Sequence, residues 1–444
     1  MGGKRIDYLR EHFGDYSDDE LEAGRLSYAG GSVGAGAPLT VVDQRGATFV
    51  DDTGREYIDC TSQAWSLNIG GCHPRVTAAA IAQIQHATHV RSGYGTIPKY
   101  LLSKRLTDVA PGDLKRVSYC LHGSVANEGA MKLALRNRPG RRYFMTPWRG
   151  FSGRTLATMA LSWPHPGGPF PSYTGAAVRF PQAYCYRCPF EAHYPECELQ
   201  CARFLRQMIQ QSVDGEPAAL LMEPMQAGGG MIDYPRAYLH ELRKICDETG
   251  MILIWDEIQT AFGRMGAMFA ADMYGVLPDI LTFGKAIAGG FPLAGSLHSL
   301  RLQGFAAQDH GFTFAQFPVA MAAAVVTLRI LKEEGLPERA AELGRLITGR
   351  LQELQGRYEL IGDIRGPGLM IGIELVRNRK TKEPAVAETR RFVDEGLKRG
   401  VLFGEGGYSG MMNIVKIKPP LVISEPQVER VLDVFEEVLD VVSA

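Results

Sequence analysis

Residues 251–264 read MILIWDEIQTAFGR and carry the strongest indication of the fold. The apolar run 251–255 has the length and composition of a buried strand, and it leads directly into Asp256 and Glu257. Ligands of open α/β sheets bind at the carboxyl ends of the strands, where a carboxylate can pair with a cationic ring nitrogen. A solvated acidic loop would explain the same residues, so this segment alone leaves both interpretations open.

A second strand end lies shortly downstream, in PDILTFGKAIAGGFPLAG at residues 278–295. We expect a short apolar strand to end at Phe283, before Gly284, Lys285 and a glycine-rich stretch. A lysine among small residues is partly desolvated, which lowers the pKa of its amine and makes it a usable nucleophile. Taken alone, Lys285 is explained more simply as a surface lysine. Together, Asp256 and Lys285 provide what pyridoxal 5′-phosphate (PLP) requires: an acid for the pyridine nitrogen and an amine for the aldehyde.

A candidate phosphate site occurs in LHGSVANEGAMKLAL at residues 121–135. Gly123 and Ser124 stand at the start of an expected helix whose apolar face is formed by Ala126, Ala130, Leu133 and Ala134. Free N–H groups at the start of a helix bind phosphate, and the Ser124 hydroxyl adds a further donor. An ordinary serine N-cap is the simpler explanation of this segment when it is considered alone.

The wider sequence predicts an α/β protein. From about residue 75 to 300, helical patterns alternate with short apolar strands such as 219–222, which is typical of a mainly parallel sheet covered by helices. Residues 1–37 are polar and predicted to be helical, ending in a link that contains Gly30, Gly31, Gly34 and Gly36. The stretch VVDQRGATFVDDTGREYID then predicts hairpin strands with turns at Gly46 and at 52–54.

The C-terminal part has a different pattern. Helices are expected at about 316–333 and 337–355, and strands near 368–376 and 412–418. A final amphipathic helix follows, for which Ser424 and Gln427 form a capping box with Pro426 in the first turn.

Composition limits the class of protein. The chain has 444 residues and is 45% hydrophobic, enough for a large core and either two or three domains or one large α/β unit with a smaller appendage. Its 48 basic and 49 acidic residues argue against nucleic acid or an anionic membrane as a partner. No apolar run is long enough to span a bilayer, and the first residues lack the apolar core of a signal peptide. We therefore expect a soluble, cytoplasmic protein.

The order of these motifs resembles the class III aminotransferases of PLP fold type I, over nearly the whole chain from about residue 38. The resemblance implies a large domain with a mainly parallel, seven-stranded type of sheet and a smaller α+β domain. Its boundaries would be an N-terminal segment at 1–65 that joins the small domain, a PLP-binding domain at 66–315 and a small domain at 316–444. It also implies a PLP-dependent aminotransferase that acts on small amines and carbonyl compounds.

The family's cofactor contacts transfer to matching positions of this sequence. The resemblance implies that Gly123 and Ser124 bind the phosphate, that Phe151 stacks on the pyridine ring and that Ile258 packs on the ring. The remaining matches are Asp256 for the ring nitrogen, Gln259 for the ring hydroxyl, Lys285 for the Schiff base, and Glu223 with Pro224 for the E-P motif. Thr313 matches a threonine that reaches the phosphate of the neighbouring subunit, which implies a homodimer with shared active sites.

Four positions depart from the family pattern. Val125 and Ser152 replace a glutamate and a histidine, and both changes leave the cofactor roles intact. Lys416 stands where members that use α-carboxylate substrates often carry an arginine, and Gly228 stands where many carry a gating glutamate. Arginine forms a bidentate fork with a carboxylate and lysine does not. The sequence thus favours an ω-amine, a diamine or an amino sugar as donor, unless Lys416 or another arginine still binds the carboxylate.

Substrate contacts are less specific. Trp65 matches a family segment that lines the substrate pocket, although packing in the core explains it equally well. An aromatic wall suits the apolar faces of rings or chains, including sugars, without identifying one.

Other chemistries use the same groups. Elimination, racemisation and decarboxylation start from the same stabilised carbanion, so a lyase, a racemase or a decarboxylase remains an alternative, as does a non-catalytic binding protein with this fold. A nucleotide-binding oxidoreductase is excluded because no G-x-G-x-x-G turn follows a strand with an acidic residue about 20 positions on.

Four of the eight cysteines form two close pairs, Cys185 with Cys188 and Cys197 with Cys201. Reduced, packed cysteines in a compact insertion explain this spacing, and so do one or two disulfides under oxidising conditions. A zinc ion bound by four thiolates has the same spacing. We assign no metal ligand from the sequence, and none of these interpretations gives the cluster a catalytic role.

Overall fold

The computed structural model of the chain describes residues 11–14, 16–27, 39–163, 177–211, 215–408 and 411–443. Of the expected N-terminal helix, it contains α1 at Asp18–Ser27. The expected glycine-rich link at Gly30, Gly31, Gly34 and Gly36 lies outside the described residues. Within the described residues, no helix is both long and apolar enough to cross a lipid bilayer.

The centre of the fold is a seven-stranded sheet in the order β4-β12-β11-β10-β7-β5-β6. Its strands are β4 (Arg116–Cys120), β5 (Tyr143–Pro147), β6 (Ala177–Phe180), β7 (Pro217–Met222), β10 (Ile252–Asp256), β11 (Ile280–Phe283) and β12 (Ala294–His298). Neighbouring strands from β6 to β11 are parallel, and β12 pairs antiparallel with both β11 and β4. Every residue of β7, β10, β11 and β12 is buried, as expected for strands covered on both faces.

Helices connect and cover these strands. They are α2 (Pro74–His86), α3 (Ile97–Val109), α4 (Gly123–Asn137), α5 (Leu156–Leu161), α6 (Gln200–Gln211), α7 (Arg236–Thr249) and α8 (Ala270–Tyr274). The apolar face predicted for α4 is confirmed, since Ala126, Ala130, Leu133 and Ala134 are all buried. A short two-stranded sheet pairs β8 (Met225–Gln226) with β9 (Ile232–Asp233).

The hairpins predicted near the N-terminus are confirmed. β1 (Val41–Arg45), β2 (Thr48–Asp51) and β3 (Glu56–Asp59) pair in antiparallel order, and β3 also pairs in parallel with the distant β16 (Val401–Leu402). The N-terminal sheet therefore joins the C-terminal part of the chain. The three-part division at residues 65 and 315 remains our proposal. The pairing of β3 with β16 supports it, because it joins the N-terminal segment to the C-terminal part.

The C-terminal part contains the predicted helices and strands with small shifts. Its helices are α9 (Pro318–Glu333), α10 (Leu336–Arg357), α11 (Val386–Lys398) and α12 (Glu425–Ser443). Its sheet contains β13 (Ile361–Arg365), β14 (Ile371–Asn378), β15 (Glu383–Pro384), β17 (Gly404–Tyr408) and β18 (Met411–Ile417). The capping box of α12 is confirmed, because Ser424 N donates to Gln427 Oε1 at 3.0 Å and Gln427 N donates to Ser424 Oγ at 3.4 Å.

Arg264 joins the end of the central sheet to the C-terminal part. Its guanidinium group is fully buried and donates to the backbone oxygens of Leu369 and Pro419. It also donates to Ser62 Oγ at 2.9 Å and to Asn68 Oδ1 at 2.7 Å. The arginine that ends the DEIQTAFGR motif thus connects segments that are distant in sequence.

Candidate active site

A cavity of about 330 Å³ lies at the carboxyl ends of β10 and β11. Asp256 is the last residue of β10 and is paired in register with Thr282 of β11, and Lys285 follows shortly after the end of β11. Seven of the nine residues that the sequence assigned to the cofactor line this cavity: Gly123, Ser124, Phe151, Asp256, Ile258, Gln259 and Lys285. The volume falls at the lower end of the range found for small-molecule sites.

Lys285 has the environment of a reactive amine. Burial lowers the pKa of its ammonium group, while the carboxylates of Asp256 and Glu223 act in the opposite direction. The residue begins a 3-10 turn at Lys285–Ala288 and has a φ of +43°, a left-handed conformation that is unfavourable for a residue with a side chain. Such strain is found where the surrounding structure must fix the position of a side chain.

Asp256 is oriented by two hydrogen bonds. Its Oδ2 accepts from Asn127 Nδ2 at 2.7 Å, and its Oδ1 accepts from Ile258 N at 3.0 Å. Burial raises the pKa of Asp256 to about 6, and the hydrogen bonds and Lys285 oppose this rise. A cation held against the carboxylate would favour its charged form further.

Asn127 is a site residue that our sequence analysis missed. It is fully buried, and its Nδ2 also donates to Ser152 O at 2.8 Å, while its Oδ1 accepts from Thr282 Oγ1 at 2.7 Å. All polar atoms of its side chain therefore have partners. The sequence contains one indication of this role, because Asn127 is a polar residue that directly follows Ala126 of the apolar face of α4.

The first turn of α4 forms one end of the cavity, where the sequence predicts the cofactor phosphate. The initial N–H groups of a helix lack partners within the helix, so Gly123 and Ser124 can offer donors to an anion. Ser124 Oγ accepts from Arg154 N at 3.0 Å, which leaves its own hydroxyl hydrogen for a ligand. Gly153 has a φ of +139°, and an added Cβ would come within 2.4 Å of Ser124 Oγ, so glycine is required there.

The sides of the cavity are apolar and closely packed. Ile258 lies against Gly123, where an added Cβ would be only 2.6 Å from Ile258 Cδ1. The backbone of Phe151 is held by Glu223, whose Oε1 accepts from Phe151 N at 3.0 Å and whose Oε2 accepts from Ala227 N at 3.1 Å. Burial raises the pKa of Glu223 to about 8. Glu223 does not line the cavity, so the structure gives it the position of a residue that acts through Phe151.

Gln259 provides a test of fit for the cofactor. Its Oε1 is buried and has no hydrogen-bond partner in the described part of the chain, although it belongs to a cavity-lining side chain. A ring hydroxyl is the kind of donor that this oxygen lacks. With the Lys285 amine, the Asp256 carboxylate and the start of α4, the cavity has the complete donor and acceptor set that PLP requires.

Trp65 and Lys416, the two expected substrate residues, are close to the site without lining the cavity. Residues 62–65 form a left-handed turn, with φ values between +46° and +67°, that ends at the cavity-lining Ser66. The Nζ atoms of Lys285 and Lys416 lie 5.9 and 5.7 Å from the centroid of the Trp65 indole, and that of Lys418 lies only 3.5 Å away. The amines of three lysines, Lys285, Lys416 and Lys418, therefore lie near the Trp65 ring.

Thr313 is exposed and lies outside the cavity lining. Its expected contact with a neighbouring subunit remains a prediction. Of the two departures expected to leave the cofactor roles intact, Ser152 lines the cavity and its backbone oxygen accepts from Asn127, while Val125 packs beside Ala126 and Ala294.

Known proteins of one family match this chain over most of its length. A family model described as aminotransferase class-III matches residues 31–439. An acetylornithine aminotransferase of Methanothermobacter thermautotrophicus is 35% identical over 90% of this chain and 94% of its own. A leucine/methionine racemase of Thermococcus litoralis is 33% identical over 96% of this chain and 94% of its own. The solved structure of a PLP-bound amine transaminase from an uncultivated Pseudomonas species is 30% identical, with a TM-score of 0.85 over 93% of this chain and 97% of its own.

Proposed function

The chain belongs to the class III aminotransferases and is a PLP-dependent transaminase; we propose that its amino donor is a primary amine without a carboxylate on the reacting carbon. Bound PLP supplies an aldehyde that accepts the amino group and a ring that stabilises a carbanion. The candidate donors are an ω-amine, a diamine or an amino sugar, and the acceptor is a carbonyl compound.

We propose the following roles for the cavity residues, which their positions support. Lys285 would hold the cofactor through its amine and would supply the general base and acid for the proton at the reacting carbon. Its lowered pKa increases the fraction of neutral amine available for this step. Asp256 keeps the ring nitrogen protonated, while Ser124 and the start of α4 bind the phosphate.

The observation that carries the donor assignment is the absence of an arginine from the described residues that line the cavity. At the position expected for a carboxylate-binding arginine, Lys416 is buried and its Nζ donates to the backbone oxygen of Ala227 at 3.1 Å. This hydrogen bond holds the amine against the backbone, and Lys416 does not line the cavity. An α-carboxylate in the cavity would thus lack the bidentate partner that usually binds it.

Gly228 supports the same assignment. A Cβ at this position would lie 3.1 Å from Phe151 Cβ, so a gating glutamate could enter only if Phe151 moved. In many members of the family, an arginine binds either the substrate carboxylate or a gating glutamate. Lys416 and Gly228 stand at these two positions here, so we propose that this switch is absent. The likeness to an amine transaminase agrees with a donor of this class.

The test is a half-reaction panel monitored by the visible absorbance of the bound cofactor. Alanine, glutamate, an ω-amino acid, a diamine and an aminoglycoside are each mixed with the enzyme in the absence of acceptor. We expect bleaching with one or more of the last three and little change with the first two. Bleaching by α-amino acids alone would overturn the donor assignment, and exchange of the α-hydrogen without bleaching would identify a racemase.

Lys416→Met separates the two possible roles of that lysine. If Lys416 does not bind the substrate carboxylate, the ranking of donors stays unchanged in the variant. A selective loss of activity with α-amino acids would instead show that Lys416 binds their carboxylate. Arg377→Met is the matched control, because it removes an exposed charge from the same part of the fold.

We also propose a homodimer with shared active sites, in which Thr313 reaches the phosphate of the partner's cofactor. Thr313 lies beside Phe314, which is 51% exposed, and Ile97 and Tyr100 are 74% and 63% exposed, which is unusual for large apolar side chains. Mixing Lys285→Ala and Thr313→Ala subunits tests this arrangement. In a shared-site dimer, the mixture regains activity because one site then contains both native residues; without recovery, the sharing of sites would be excluded.

A cytoplasmic location is the remaining part of the proposal. Its support is that all eight cysteines are unpaired, which is usual in a reducing compartment. Cell fractionation with a compartment marker would test it.

A further inference from the structure

Phe151 packs against the loop that connects β8 with β9, residues 227–231. An added Cβ at Gly228 would lie 3.1 Å from Phe151 Cβ, and one at Gly229 would lie 2.6 Å from the backbone oxygen two residues before Phe151. Glu223 ties the two backbones together, since its carboxylate accepts from Phe151 N and from the first N–H of the loop. A displacement of the loop would therefore be transmitted to Phe151, which lines the cofactor cavity.

The end of the β8–β9 loop has a conformation that its own sequence does not favour. Met231 has a φ of +54°, in the left-handed region that is costly for a residue with a side chain. Its N–H donates to Ala227 O at 3.4 Å, which is long for a hydrogen bond. Such a conformation persists only where the surrounding structure fixes it, so the loop depends on contacts from other elements.

Two cations from the C-terminal sheet supply such contacts. Lys416 Nζ donates to Ala227 O at the start of the loop. At the end of the loop, Arg365 Nε donates to Gly230 O at 3.1 Å and to Met231 O at 2.9 Å, and Arg365 Nη2 donates to Gly230 O at 2.6 Å. The guanidinium group is planar and rigid, so it fixes two consecutive peptide groups at once.

Arg365 is held in turn by a buried carboxylate. Its Nη2 lies 2.8 Å from Oε2 of Glu374 in β14, whose side chain is fully buried. Tyr184 and Arg187 also donate to this carboxylate, and both belong to the connection between β6 and α6 at residues 181–199. Burial would raise the pKa of Glu374, but the two arginines and the tyrosine hydroxyl hold it below its ordinary value. The carboxylate therefore stays charged and keeps Arg365 in place.

We propose that Arg365 is a positioning residue for the bound cofactor, acting through the β8–β9 loop on Phe151. This role rests on the one proposed for Phe151, which is to stack on the pyridine ring. Arg365 does not line the cavity, so its effect on the cofactor is exerted through the position of the aromatic ring. The connection 181–199 thereby gains a function, because it supplies two of the donors that hold Glu374.

The test measures the PLP dissociation constant and the visible circular dichroism of the cofactor-loaded enzyme. The dichroism reports how the ring lies in its site, which a loss of global stability leaves unchanged as long as the protein is folded. Arg365→Lys keeps the charge and loses the planar fork. We expect it to change the dichroism with the same sign as Phe151→Ala and to bind PLP at least about 10-fold more weakly than the wild type.

Arg379→Lys is the matched control, because Arg379 also donates to backbone oxygens of the C-terminal part. Its partners are Gln355 O, Tyr358 O and Ile361 O, none of which belongs to the β8–β9 loop. We expect this variant to lower the unfolding temperature without a change in the dichroism or in PLP binding. An equal change in both arginine variants would overturn the proposal, because both would then act only through general destabilisation.

A double variant decides whether Arg365 acts through Phe151. If it does, adding Arg365→Lys to Phe151→Ala weakens PLP binding little beyond the effect of Phe151→Ala alone. Fully additive losses would overturn the proposal, and so would an Arg365→Lys enzyme with the dichroism and PLP affinity of the wild type. An unchanged Phe151→Ala enzyme would refute the stacking role of Phe151, and with it the role of Arg365.

Tyr184→Phe keeps the proposal falsifiable if Arg365→Lys does not fold. It removes only the hydroxyl that donates to Glu374 and accepts from Arg365 Nη2 at 2.9 Å. A smaller change in the dichroism with the same sign as in Phe151→Ala supports the proposal, and no change contradicts it. The donor ranking is not a readout of these experiments, so the proposed donor class is judged independently.

Discussion

The side-chain amide of Asn127 donates a hydrogen bond to Oδ2 of Asp256 across a distance of 2.7 Å. The two residues come from α4 and β10, and Thr282 of the neighbouring β11 fixes the other end of the amide. One asparagine therefore connects the helix proposed to bind the phosphate with the strand that ends at Asp256, the residue proposed to pair with the ring nitrogen. We regard Asn127 as a positioning residue that acts through Asp256.

Replacing Asn127 with alanine should weaken PLP binding and change its pH dependence. Burial raises the pKa of Asp256 to about 6, and the hydrogen bond from Asn127 lowers it, so the variant should need a higher pH to ionise Asp256. Loss of a hydrogen bond to a charged group costs about 1.5–3 kcal/mol, which corresponds to a roughly 10- to 100-fold higher dissociation constant for PLP. Fluorescence titration with PLP between pH 5 and 8 measures both effects.

Asn137→Ala is the control for this prediction. Asn137 lies at the other end of the same helix, and its side chain donates to Leu133 O and Gln303 O. The control should leave the acid limb of the pH profile unchanged. If Asn127→Ala weakened binding by the same factor at every pH, Asn127 would have only a structural role.

Lys285→Ala should abolish the covalent link to the cofactor while leaving its non-covalent contacts in place. We expect PLP to bind without the visible absorbance of the lysine-bound form and turnover to fall by about 10²–10⁴-fold or more, since the variant also loses its general base. Absorbance spectra and half-reaction rates check this. Lys418→Met, which removes another buried lysine near Trp65, should retain the absorbance; if it did not, the link would have been assigned to the wrong lysine.

Much of the fold could be predicted because its patterns are local. The buried strand before Asp256, the strand that ends at Phe283 and the capping box of Ser424 each occur as expected. The lining of the cavity also followed from the motifs, since strand ends and a helix start meet at one edge of a parallel sheet.

The remaining features depend on contacts between distant segments. Asn127 has partners on two strands that no local pattern relates to it. Residues 62–65 adopt a left-handed turn without a glycine, stabilised in part by the hydrogen bond from Ser62 Oγ to Lys418 O. Lys416 was expected to meet substrate, and its hydrogen bond to Ala227 O depends on the pairing of β18 with β14 and β17. Sequence spacing contains none of this information.

Lys416 should make the stability of the protein depend on pH in the alkaline range. Burial lowers the pKa of its ammonium group to about 8, with Glu223 and Glu405 opposing and Arg365 adding to the shift. The unfolded chain therefore holds this proton up to a higher pH than the folded protein, so the folded state gains relative stability as pH rises from about 8 to about 10.5. Between those limits the gain should reach about 3 kcal/mol.

Comparison with Lys416→Met isolates this contribution from other titrating groups. Unfolding by denaturant at several pH values should show the wild type gaining on the variant as pH rises, and a constant difference below about pH 7. A difference that does not change with pH would mean that Lys416 titrates normally in the folded protein. The donor ranking of the same two proteins, measured without denaturant, then shows whether the loss of the Lys416 charge also affects substrate preference.

Arg264→Met should destabilise the protein although the residue belongs to the DEIQTAFGR motif and has no contact with the cavity. The variant leaves two backbone oxygens and the side chains of Ser62 and Asn68 without their buried donor. Unpaired buried acceptors cost about 1–3 kcal/mol each, so we expect a loss of about 3 kcal/mol or more in the free energy of unfolding. Arg264→Lys should recover only part of it, because a single ammonium group cannot reproduce the planar fork.

Arg350→Met provides the comparison, since Arg350 is exposed and its ion pairs with Glu353 and Glu436 should contribute little. Thermal unfolding of the three variants checks the order, with Arg264→Met lowest, Arg264→Lys intermediate and Arg350→Met close to the wild type. If Arg264→Met instead unfolded normally and lost only PLP, the guanidinium would act on the cofactor site. Ser62 begins the left-handed turn that contains Trp65 and ends at Ser66 in the cavity. Loss of the Arg264 hydrogen bond to Ser62 should therefore also increase the mobility of Trp65. The fluorescence of Trp65 can report this change in a protein whose other tryptophans have been substituted.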